Sequence, residues 1–316
     1  MKEIASTWYI IINPAASGGK AGKVWPGIEQ KLSNAGVDFT TVFSTYSRQA
    51  TELATQAIEA GYRRLMAVGG DGTNNEVING IVQQAKVPTS EIVYCLLPIG
   101  TGNDWIKTHG IPRRIKAWLP MFLAGHIGQQ DIGWVEYQDE DKTKRHYFAN
   151  VAGLAYDAFV VHYVEAIKTR VANKLVYLWV VLRCLWKYQL QSARIVFNGK
   201  MIEDYFYTIN IGVCRYSGGG MQFVPHAEPT DGLLALTYAG KLKKWQVILN
   251  TYRFYNGSVG EHPLVYTDQV KELKVEHPEG KAATLLEVDG EFLGVTPASF
   301  GIKEGALRFI CPAPHS

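Results

Sequence analysis

The chain has 316 residues, which is long enough for one large or two ordinary domains with full hydrophobic cores. Hydrophobic residues make up 47% of it and charged residues 19%, so the composition excludes a disordered or fibrous protein. Lys and Arg number 32 against 29 Asp and Glu, and this near balance argues against a nucleic-acid partner or an acidic scaffold. We therefore expect a folded, soluble protein with two domains.

The cysteines and the apolar runs both indicate a cytoplasmic protein. No CxxC spacing occurs among the four cysteines, which we expect to be reduced thiols: Cys95, Cys184, Cys214 and Cys311. The first apolar run starts at Trp8 and stops at Asn13, which is too short for the core of a signal peptide. The run 175–182 ends at Arg183, far short of the ~18 to 20 residues that a spanning helix needs.

Residues 1–130 alternate between strand and helix patterns. Unbroken apolar runs at 8–12, 64–68 and 92–99 are typical of strands buried on both faces of a parallel sheet. Between the first two runs, apolar residues recur at the spacing of an amphipathic helix, at Ala50, Leu53, Ala54, Ala57 and Ile58. This alternation predicts a doubly wound α/β domain.

Residues 131–316 carry period-two, aromatic-rich runs that predict an antiparallel β domain. A helical region interrupts it at about 157–188. The second half of that region, "KLVYLWVVLRCLWKY", is apolar nearly all the way round. Such a helix is normally buried, and we favour burial here. The alternative is that it exposes an apolar surface that contacts lipid.

Three glycine-rich turns follow successive strands. The first, "NPAASGGKAGK", departs from the P-loop pattern at Ser17 and Val24, which disfavours a P-loop ATPase. Its backbone N–H groups could still hold a phosphate, with Lys20 or Lys23 adding charge, and a flexible connecting loop is the equal alternative.

The second and third turns, "GGDGTNNE" and "PIGTGNDW", each contain an acid at a strand end. Taken singly, Asp71 or Asp104 could simply cap a helix. Together the three turns line one crevice at the carboxyl end of the sheet, where ligands bind in open α/β folds. A carboxylate beside phosphate is favourable when Mg²⁺ lies with it, so we expect a polyphosphate bound with Mg²⁺.

With "NPAASGGKAGK", "GGDGTNNEVINGI", "LPIGTGNDW" and "LEVDGE", nearly the whole chain resembles the diacylglycerol kinase catalytic family. The likeness is to its bacterial lipid kinases, which are related to sphingosine and ceramide kinases. It implies a phosphofructokinase- and NAD-kinase-like α/β domain over 1–130 and an all-β, sandwich-like lipid-substrate domain with inserted helices over 131–316. The chain end is expected to be able to pack back on the first domain. The implied activity is ATP-dependent phosphorylation of a lipid hydroxyl, on diacylglycerol, a sphingoid base or a related lipid.

The resemblance also implies roles for particular residues. ATP would contact Asn13, Pro14, Ala15, Ala16, Ser17, Ser44, Gly70, Asp71, Gly72, Thr73, Asn74, Asn75, Glu76 and Thr101, with Thr45 as the alternative to Ser44. A catalytic network of water and magnesium would use Asp71, Asp104 and Asp131. One of Asp289 and Glu291 would take the proton from the lipid hydroxyl while the other orients it, at the point where the β domain closes over the α/β domain. A structural Mg²⁺ would bind Asp231 and the carbonyls of Glu228 and Leu233, for which an ordinary Asp-Gly hairpin turn is the alternative.

The expected partner is a lipid at a membrane surface, visited transiently because the chain has no anchor. Its acyl chains would need an apolar slot, for which the helical region offers Phe159, Tyr163, Tyr177, Trp179 and Trp186. Bacterial relatives often dimerise, so a homodimer is among the expectations. An NAD kinase-like enzyme would need a "TPTGSTAY"-like stretch where this chain has "VAGLAYDAF". A catalytically silent lipid-binding protein would lack an essential acid, and all five acids are present.

Overall fold

A computed structural model describes residues 4–139, 142–166 and 174–313, and the side chains of residues 174–178 are outside that description. The chain divides into two compact units, Met1–Asp131 with Gly305–Ser316, and Ile132–Glu304. Two long strands, β5 (Ile127–Asp139) and β18 (Ala298–Ile310), each begin in one unit and end in the other. The chain therefore leaves the first unit along β5 and returns to it along β18.

The first unit is built on a parallel sheet. Its strands are β1 (Trp8–Ile12), β2 (Phe39–Phe43), β3 (Arg64–Gly69) and β4 (Val93–Pro98), and its helices are α1 (Ala16–Asn34), α2 (Gln49–Glu59), α3 (Asp71–Gln83), α4 (Trp105–Thr108) and α5 (Ile115–Ala124). The strand order is β2-β1-β3-β4, with β18 next to β4. The five apolar positions of the predicted amphipathic helix are the buried face of α2, and β1 and β3 are buried almost throughout, which confirms the predicted α/β fold.

The second unit is an antiparallel sandwich. Its remaining strands are β6 (Lys142–Phe148), β7 (Val151–Ala155), β8 (Gln191–Phe197), β9 (Lys200–Phe206), β10 (Thr208–Gly212), β11 (Tyr216–Ser217), β12 (Met221–Gln222), β13 (Leu234–Ala239), β14 (Val265–Val270), β15 (Glu272–Glu276), β16 (Leu285–Val288) and β17 (Glu291–Val295). One sheet has the order β14-β13-β10-β7-β16-β17, and β18, β15, β8 and β9 lie in another. Apolar residues of both sheets meet in one core that includes Ile195, Phe300, Ile209 and Leu286. The predicted sandwich-like β architecture is confirmed.

Four helices accompany this sandwich: α6 (Tyr156–Ala166), α7 (Lys174–Lys187), α8 (Lys244–Asn250) and α9 (Tyr252–Asn256). The predicted helical region corresponds to α6 and α7, whereas α8 and α9 were not predicted. Helix α7 buries Cys184 and Leu185 but leaves Trp179 and Trp186 exposed at 58% and 69%, so burial and an apolar surface both occur on one helix. None of the helices in the described ranges is long and apolar enough to cross a bilayer. All four cysteines are free thiols.

Candidate active site

The strand order of the first unit places the three glycine-rich turns side by side. Strand β3 lies between β1 and β4, so the turns that follow these strands are neighbours. The Asn13 N–H donates to the Val68 carbonyl at 3.1 Å, and the Ile99 N–H donates to the Gly69 carbonyl at 2.7 Å. Each turn thus begins hydrogen-bonded to the strand next to it. They form a single concave edge at the carboxyl ends of the strands, where α/β sheets bind ligands.

The second and third turns touch backbone to backbone. A Cβ atom at Gly100 would lie 2.5 Å from the Gly70 Cα and 2.3 Å from the Asn103 Oδ1. No side chain fits at Gly100 without displacing the neighbouring turn. Glycine is therefore required here by close approach, and the contact fixes the spacing between the two acid-bearing turns.

Asp71 and Asp104 come together across these turns. Asp71 opens α3, and its carboxylate accepts the Asp104 backbone N–H at 2.7 Å. A Cβ at Gly102 would lie 2.8 Å from the Asp71 Oδ2 and 3.6 Å from the Asp104 Oδ2, so both carboxylates flank one glycine. The Lys107 ammonium pairs with Asp104. Burial, and then the charge of Asp104, raise the pKa of Asp71 to about 6.

Two clustered carboxylates of this kind fit a hard divalent cation, because Mg²⁺ prefers carboxylate oxygens and phosphate together. A cation would also relieve the repulsion that raises the pKa of Asp71. The donor set at these two turns is therefore compatible with the expected Mg²⁺. The third predicted acid, Asp131, makes a hydrogen bond elsewhere: its Oδ1 accepts the Gly305 N–H at 2.6 Å, where β18 returns to the first unit.

The first turn is tied to the second by Asn13. Its Nδ2 donates to the Thr73 Oγ1 at 3.0 Å, and its Oδ1 accepts the Ala15 N–H at 3.1 Å. Ser17 and the next two residues, 18–19, have left-handed φ values of 53°, 69° and 87°. A non-glycine residue in that region is strained, and such strain concentrates at ligand-binding loops.

Several predicted nucleotide-binding residues have side chains that are engaged within the protein. The Asn74 Oδ1 accepts the Tyr94 hydroxyl at 2.6 Å, and the Glu76 Oε2 accepts the Ala50 N–H at the start of α2 at 3.0 Å. Ser44 is buried at the exit of β2, as predicted, and its hydroxyl donates to a strand carbonyl at 3.5 Å. Thr101 is exposed on the third turn. The backbones of Asn74 and Glu76 are engaged as well, since the Asn74 N–H donates to the Gly70 carbonyl and the Glu76 carbonyl accepts the Thr51 hydroxyl, each at 2.9 Å.

Asn103 is a residue of this edge that the sequence analysis did not single out. Its φ is +48°, and its Nδ2 donates to the Gly100 carbonyl at 3.0 Å. Its Oδ1 is buried and has no hydrogen-bond partner within the described ranges. A buried acceptor of this kind usually has a water or ligand donor. The only sequence signal was its place between the second glycine and the acid of the third turn.

Asp289 and Glu291 have different surroundings in the second unit. Asp289 lies in the turn between β16 and β17 with φ of +49°. Its two carboxylate oxygens accept the backbone N–H groups of residues 149–151 at 3.0, 3.1 and 3.0 Å. Glu291 begins β17 and is half-buried. The contacts of Asp289 therefore serve to hold the chain, which suits an orienting residue better than a proton acceptor.

Two further acids, the buried Glu287 and the half-buried Asp157, lie close together beside Gly153. A Cβ at Gly153 would lie 2.5 Å from the Glu287 Oε1 and 3.0 Å from the Asp157 Cβ. Asp157 accepts the Thr208 hydroxyl, and Glu287 accepts the Gly290 N–H at 2.9 Å. Burial raises the pKa of Asp157 to about 6 and that of Glu287 well above its usual range. Sequence reasoning missed both, although Glu287 lies two residues before the Asp-Gly-Glu turn.

These two acids line a cavity of about 100 Å³ in the second unit, together with other polar residues such as Thr208, Asn210 and Ser217. Its lining combines aliphatic residues, such as Val160, Val181 and Leu185, with four aromatic ones: Tyr156, Tyr207, Phe223 and Phe254. The predicted aromatic lining differs: Phe159 and Tyr163 pack in an adjoining cluster, and Trp179 and Trp186 are exposed. The side chain of Tyr177 lies outside the described residues. Helices α6 and α7 thus contribute to a partly apolar cavity, but the predicted aromatic residues with described side chains do not line it, and Tyr156 does.

The side chains of the predicted structural magnesium loop make contacts within the protein. Asp231 accepts the Leu233 N–H and the Gln269 amide, each at 3.0 Å. Glu228 is ion-paired with Arg215. Within the described residues there is no group of three or more His, Cys, Asp or Glu side chains that could hold a metal. These contacts are compatible with a hydrogen-bonded turn, and a magnesium site that uses the Asp231 carboxylate with the carbonyls of Glu228 and Leu233 stays a prediction.

Comparisons with known proteins agree with this geometry. Residues 7–135 match the diacylglycerol kinase catalytic domain, and residues 150–311 match the YegS C-terminal NAD kinase beta sandwich-like domain. A chain with this fold and these turns is a kinase. It belongs to the diacylglycerol kinase catalytic-domain family, among the YegS-like bacterial lipid kinases.

Individual relatives cover almost the full chain. Diacylglycerol kinase from Staphylococcus saprophyticus is 26% identical over 291 residues, which are 92% of this chain and 90% of the relative. The Staphylococcus epidermidis enzyme is 26% identical over 303 residues, 96% of this chain and 91% of the relative. The crystal structure of a diacylglycerol kinase from Bacillus anthracis has the same fold, with a TM-score of 0.70, 19% identity and coverage of 98% and 97% of the two chains.

Proposed function

We propose that this protein transfers the γ-phosphoryl group of ATP to the hydroxyl of diacylglycerol or a related lipid, with Mg²⁺. The observation that carries the proposal is the pair of glycine turns in backbone contact, with Asp71 and Asp104 beside Gly102. Backbone N–H groups of the turns bind phosphate oxygens, and the two carboxylates hold the cation. Mg²⁺ supplies neutralisation of the charge on the β- and γ-phosphate oxygens.

The acceptor lipid binds in the cavity of the second unit, with its polar head toward Asp157 and Glu287. Desolvation raises the pKa values of both acids, so they can hydrogen-bond a neutral polar head. The lipid hydroxyl oxygen attacks the γ-phosphorus, and the bond to the β–γ bridging oxygen breaks to release ADP. Glu291 accepts the hydroxyl proton, while Asp289 holds the turn that positions it.

A panel of lipid acceptors in mixed micelles, with radiolabelled ATP and Mg²⁺, tests this proposal. We expect a labelled lipid product that a chelator abolishes. Asp71→Asn should lower kcat at least ~100-fold, because it weakens charge stabilisation in the transition state that is worth several kcal/mol. Asp139→Asn, on the exposed ion pair with Lys144, is the matched control and should keep wild-type activity.

The same assay separates the proposal from its rivals. Phosphorylation of NAD in place of every lipid would identify an NAD kinase-like enzyme. Lipid binding without turnover, under conditions where ATP also binds, would indicate a silent lipid-binding protein. A fully active, folded Asp71→Asn protein would remove Asp71 from the mechanism.

A further inference from the structure

The outer faces of α7, α8 and α9 expose an unusual set of aromatic side chains. Among residues whose side chains are described, the three tryptophans more than half exposed all lie here: Trp179, Trp186 and Trp245, at 58%, 69% and 57%. Ile248, Leu249, Tyr252 and Tyr255 are exposed beside them. We call these seven residues the α7–α9 face. Lys244 links α8 to α7 within this face, because its ammonium donates to the Trp186 carbonyl at 2.7 Å.

The charged residues of these helices and their flanking segments are all cationic, although Lys241 and Arg253 are ion-paired with Asp204 and Glu261 of other segments. Segments 174–188 and 240–258 contain no Asp or Glu, and their cationic residues are Lys174, Arg183, Lys187, Lys241, Lys243, Lys244 and Arg253. The whole chain, in contrast, has 32 basic and 29 acidic residues. The Arg183 guanidinium lies 5.3 Å from the Trp179 ring centroid, and the Lys187 ammonium 4.8 Å from that of Tyr163. Cations and aromatic rings are therefore interleaved on one surface.

The inner faces of the same helices line the cavity that Asp157 and Glu287 also line. Val181, Leu182 and Leu185 of α7 and Val247 of α8 all contribute to its wall. The cavity has a volume of about 100 Å³, which is small against a full-length acyl chain, so a lipid whose polar head lies at Asp157 and Glu287 would leave most of each chain outside it. The acyl chains of a bound lipid must remain in an apolar medium outside the protein, because their exposure to water is unfavourable.

We propose that the α7–α9 face docks on an anionic lipid bilayer, and that the acceptor lipid enters the cavity from this bilayer while its acyl chains stay in the membrane. This rests on the proposed function and names the source of its substrate. Tryptophan and tyrosine side chains favour the depth of the headgroups, and Lys and Arg around them attract anionic lipids. A second copy of the chain is disfavoured as the occupant, because a symmetric contact would bring two cationic surfaces together.

Vesicle flotation tests the docking directly, without reference to activity. The full chain should bind vesicles of phosphatidylcholine with phosphatidylglycerol, and bind phosphatidylcholine vesicles much more weakly. The double variants Trp186→Ala/Trp245→Ala and Arg183→Glu/Lys187→Glu should each bind anionic vesicles at least tenfold more weakly. Matched controls lie on the first unit: Tyr46→Ala removes an aromatic ring that is 54% exposed, and Lys31→Glu/Lys86→Glu reverses two exposed charges. Both controls should bind within twofold of the wild type.

A second measurement uses kinase activity on two forms of the acceptor. With a short-chain diacylglycerol below its critical micelle concentration, the double variants should keep the wild-type kcat. With long-chain diacylglycerol in anionic vesicles, they should lose at least tenfold in rate. Melting temperatures within a few degrees of the wild type would establish that the variants are folded.

The outcomes separate the docking from the proposed reaction. Wild-type binding to anionic vesicles by both double variants, or no vesicle binding by the wild type, overturns the docking. Loss of dimers in the double variants with unchanged vesicle binding assigns the face to a second copy and also overturns it. Weakened vesicle binding in the variants, together with no lipid phosphorylation by the wild type, supports the docking and refutes the proposed function alone.

Discussion

At the scale of single residues, the acids of this protein are distinguished by what donates to them. The Asp289 carboxylate accepts three backbone N–H groups, whereas Asp157 accepts the side-chain hydroxyl of Thr208 in a desolvated setting. A carboxylate that accepts several backbone N–H groups is fixed in position and holds its surroundings in place. One that is desolvated beside a second acid is instead kept from ionising. The two aspartates thus have different surroundings, and we expect their substitution to affect different measurable properties.

Substitution should separate Glu291 from Asp289. For Glu291→Gln we expect kcat to fall by ~10² to 10⁴ with little change in the melting temperature, because only a proton acceptor is lost. For Asp289→Asn we expect the free energy of unfolding to fall by roughly 3 kcal/mol, since hydrogen bonds to a charged group contribute ~1.5 to 3 kcal/mol each. Single-turnover kinetics and denaturant unfolding measure the two effects. If Asp289→Asn lost activity without losing stability, the assignment would be reversed.

Asp157 should make stability depend on pH in a defined window. Its pKa is raised from 3.8 to about 6 in the folded protein, so the folded state holds this proton more tightly than the unfolded state. The free energy of unfolding should therefore decrease as pH rises from about 4 to 6, and the effect is complete above pH 6. A shift of about 2 units corresponds to about 3 kcal/mol.

Urea unfolding of the wild type and Asp157→Asn between pH 4 and 8 measures this effect. The variant should lack that part of the decrease and be the more stable protein at pH 7. Asp204→Asn is the control, because the Tyr205 backbone N–H, and then the exposed ion pair with Lys241, lower the pKa of Asp204 and give the opposite sign. Parallel pH curves for the wild type and Asp157→Asn would contradict the prediction.

At the scale of elements, the parallel strands of the first unit determine where the three glycine-rich turns come together. The order β1-β3-β4 is set by strand pairing. Because each glycine-rich turn directly follows one of these strands, the distance between turns is set by the distance between strands. Gly70 and Gly100 then let the second and third turns meet at backbone distance. The edge is therefore a property of three elements acting together.

Gly100→Ala should disrupt this edge. The added methyl would lie 2.5 Å from the Gly70 Cα, so we expect a loss of stability of ~1 to 3 kcal/mol and at least tenfold weaker nucleotide binding. Gly27→Ala in α1 is the matched control, since its Cβ would meet nothing within 4 Å, and it should raise stability by ~0.5 to 1 kcal/mol. Thermal unfolding and calorimetric titration with ATP distinguish the two variants. Wild-type ATP affinity in Gly100→Ala would show that the contact between the second and third turns is not needed for nucleotide binding.

At the scale of the whole molecule, β18 contributes to the cores of both units. Phe300, near its start, is fully buried in the sandwich core. Phe309, nine residues later, packs on Trp105 and His109 of the first unit with ring centroids 4.9 and 4.5 Å apart. The last strand of the chain thus completes the domain that the first residues begin.

The variants Phe309→Ala and Phe300→Ala should each lower stability by ~3 to 5 kcal/mol, the usual cost of removing a buried phenyl ring. Hydrogen exchange should then show where each effect falls. Phe309→Ala should speed exchange in α4 and β4, and Phe300→Ala in β15, its hydrogen-bonded partner strand. Equal acceleration in both units for both variants would mean that the units open together.

Much of the fold followed from the sequence because its signals are local. The apolar spacing of α2 and the strands before each glycine turn need only a few consecutive residues to be recognised. The missed helices α8 and α9 are 7 and 5 residues long, which is too short for a clear period. The pairing of Asp71 with Asp104 was expected from two turns at neighbouring strand ends, and the structure brings these residues together.

By itself, the sequence determined the α/β and sandwich classes, the three glycine turns, and a set of acids suited to a cation and a proton transfer. Only the tertiary structure decided what surrounds each of those acids. Asp289 meets backbone groups about 140 positions away, and Glu287 meets Gly153 and Asp157 on the neighbouring strand β7 and helix α6. Hydrogen-bond partners, burial and the pKa values that follow from them depend on chain segments remote in sequence, and no local pattern encodes these.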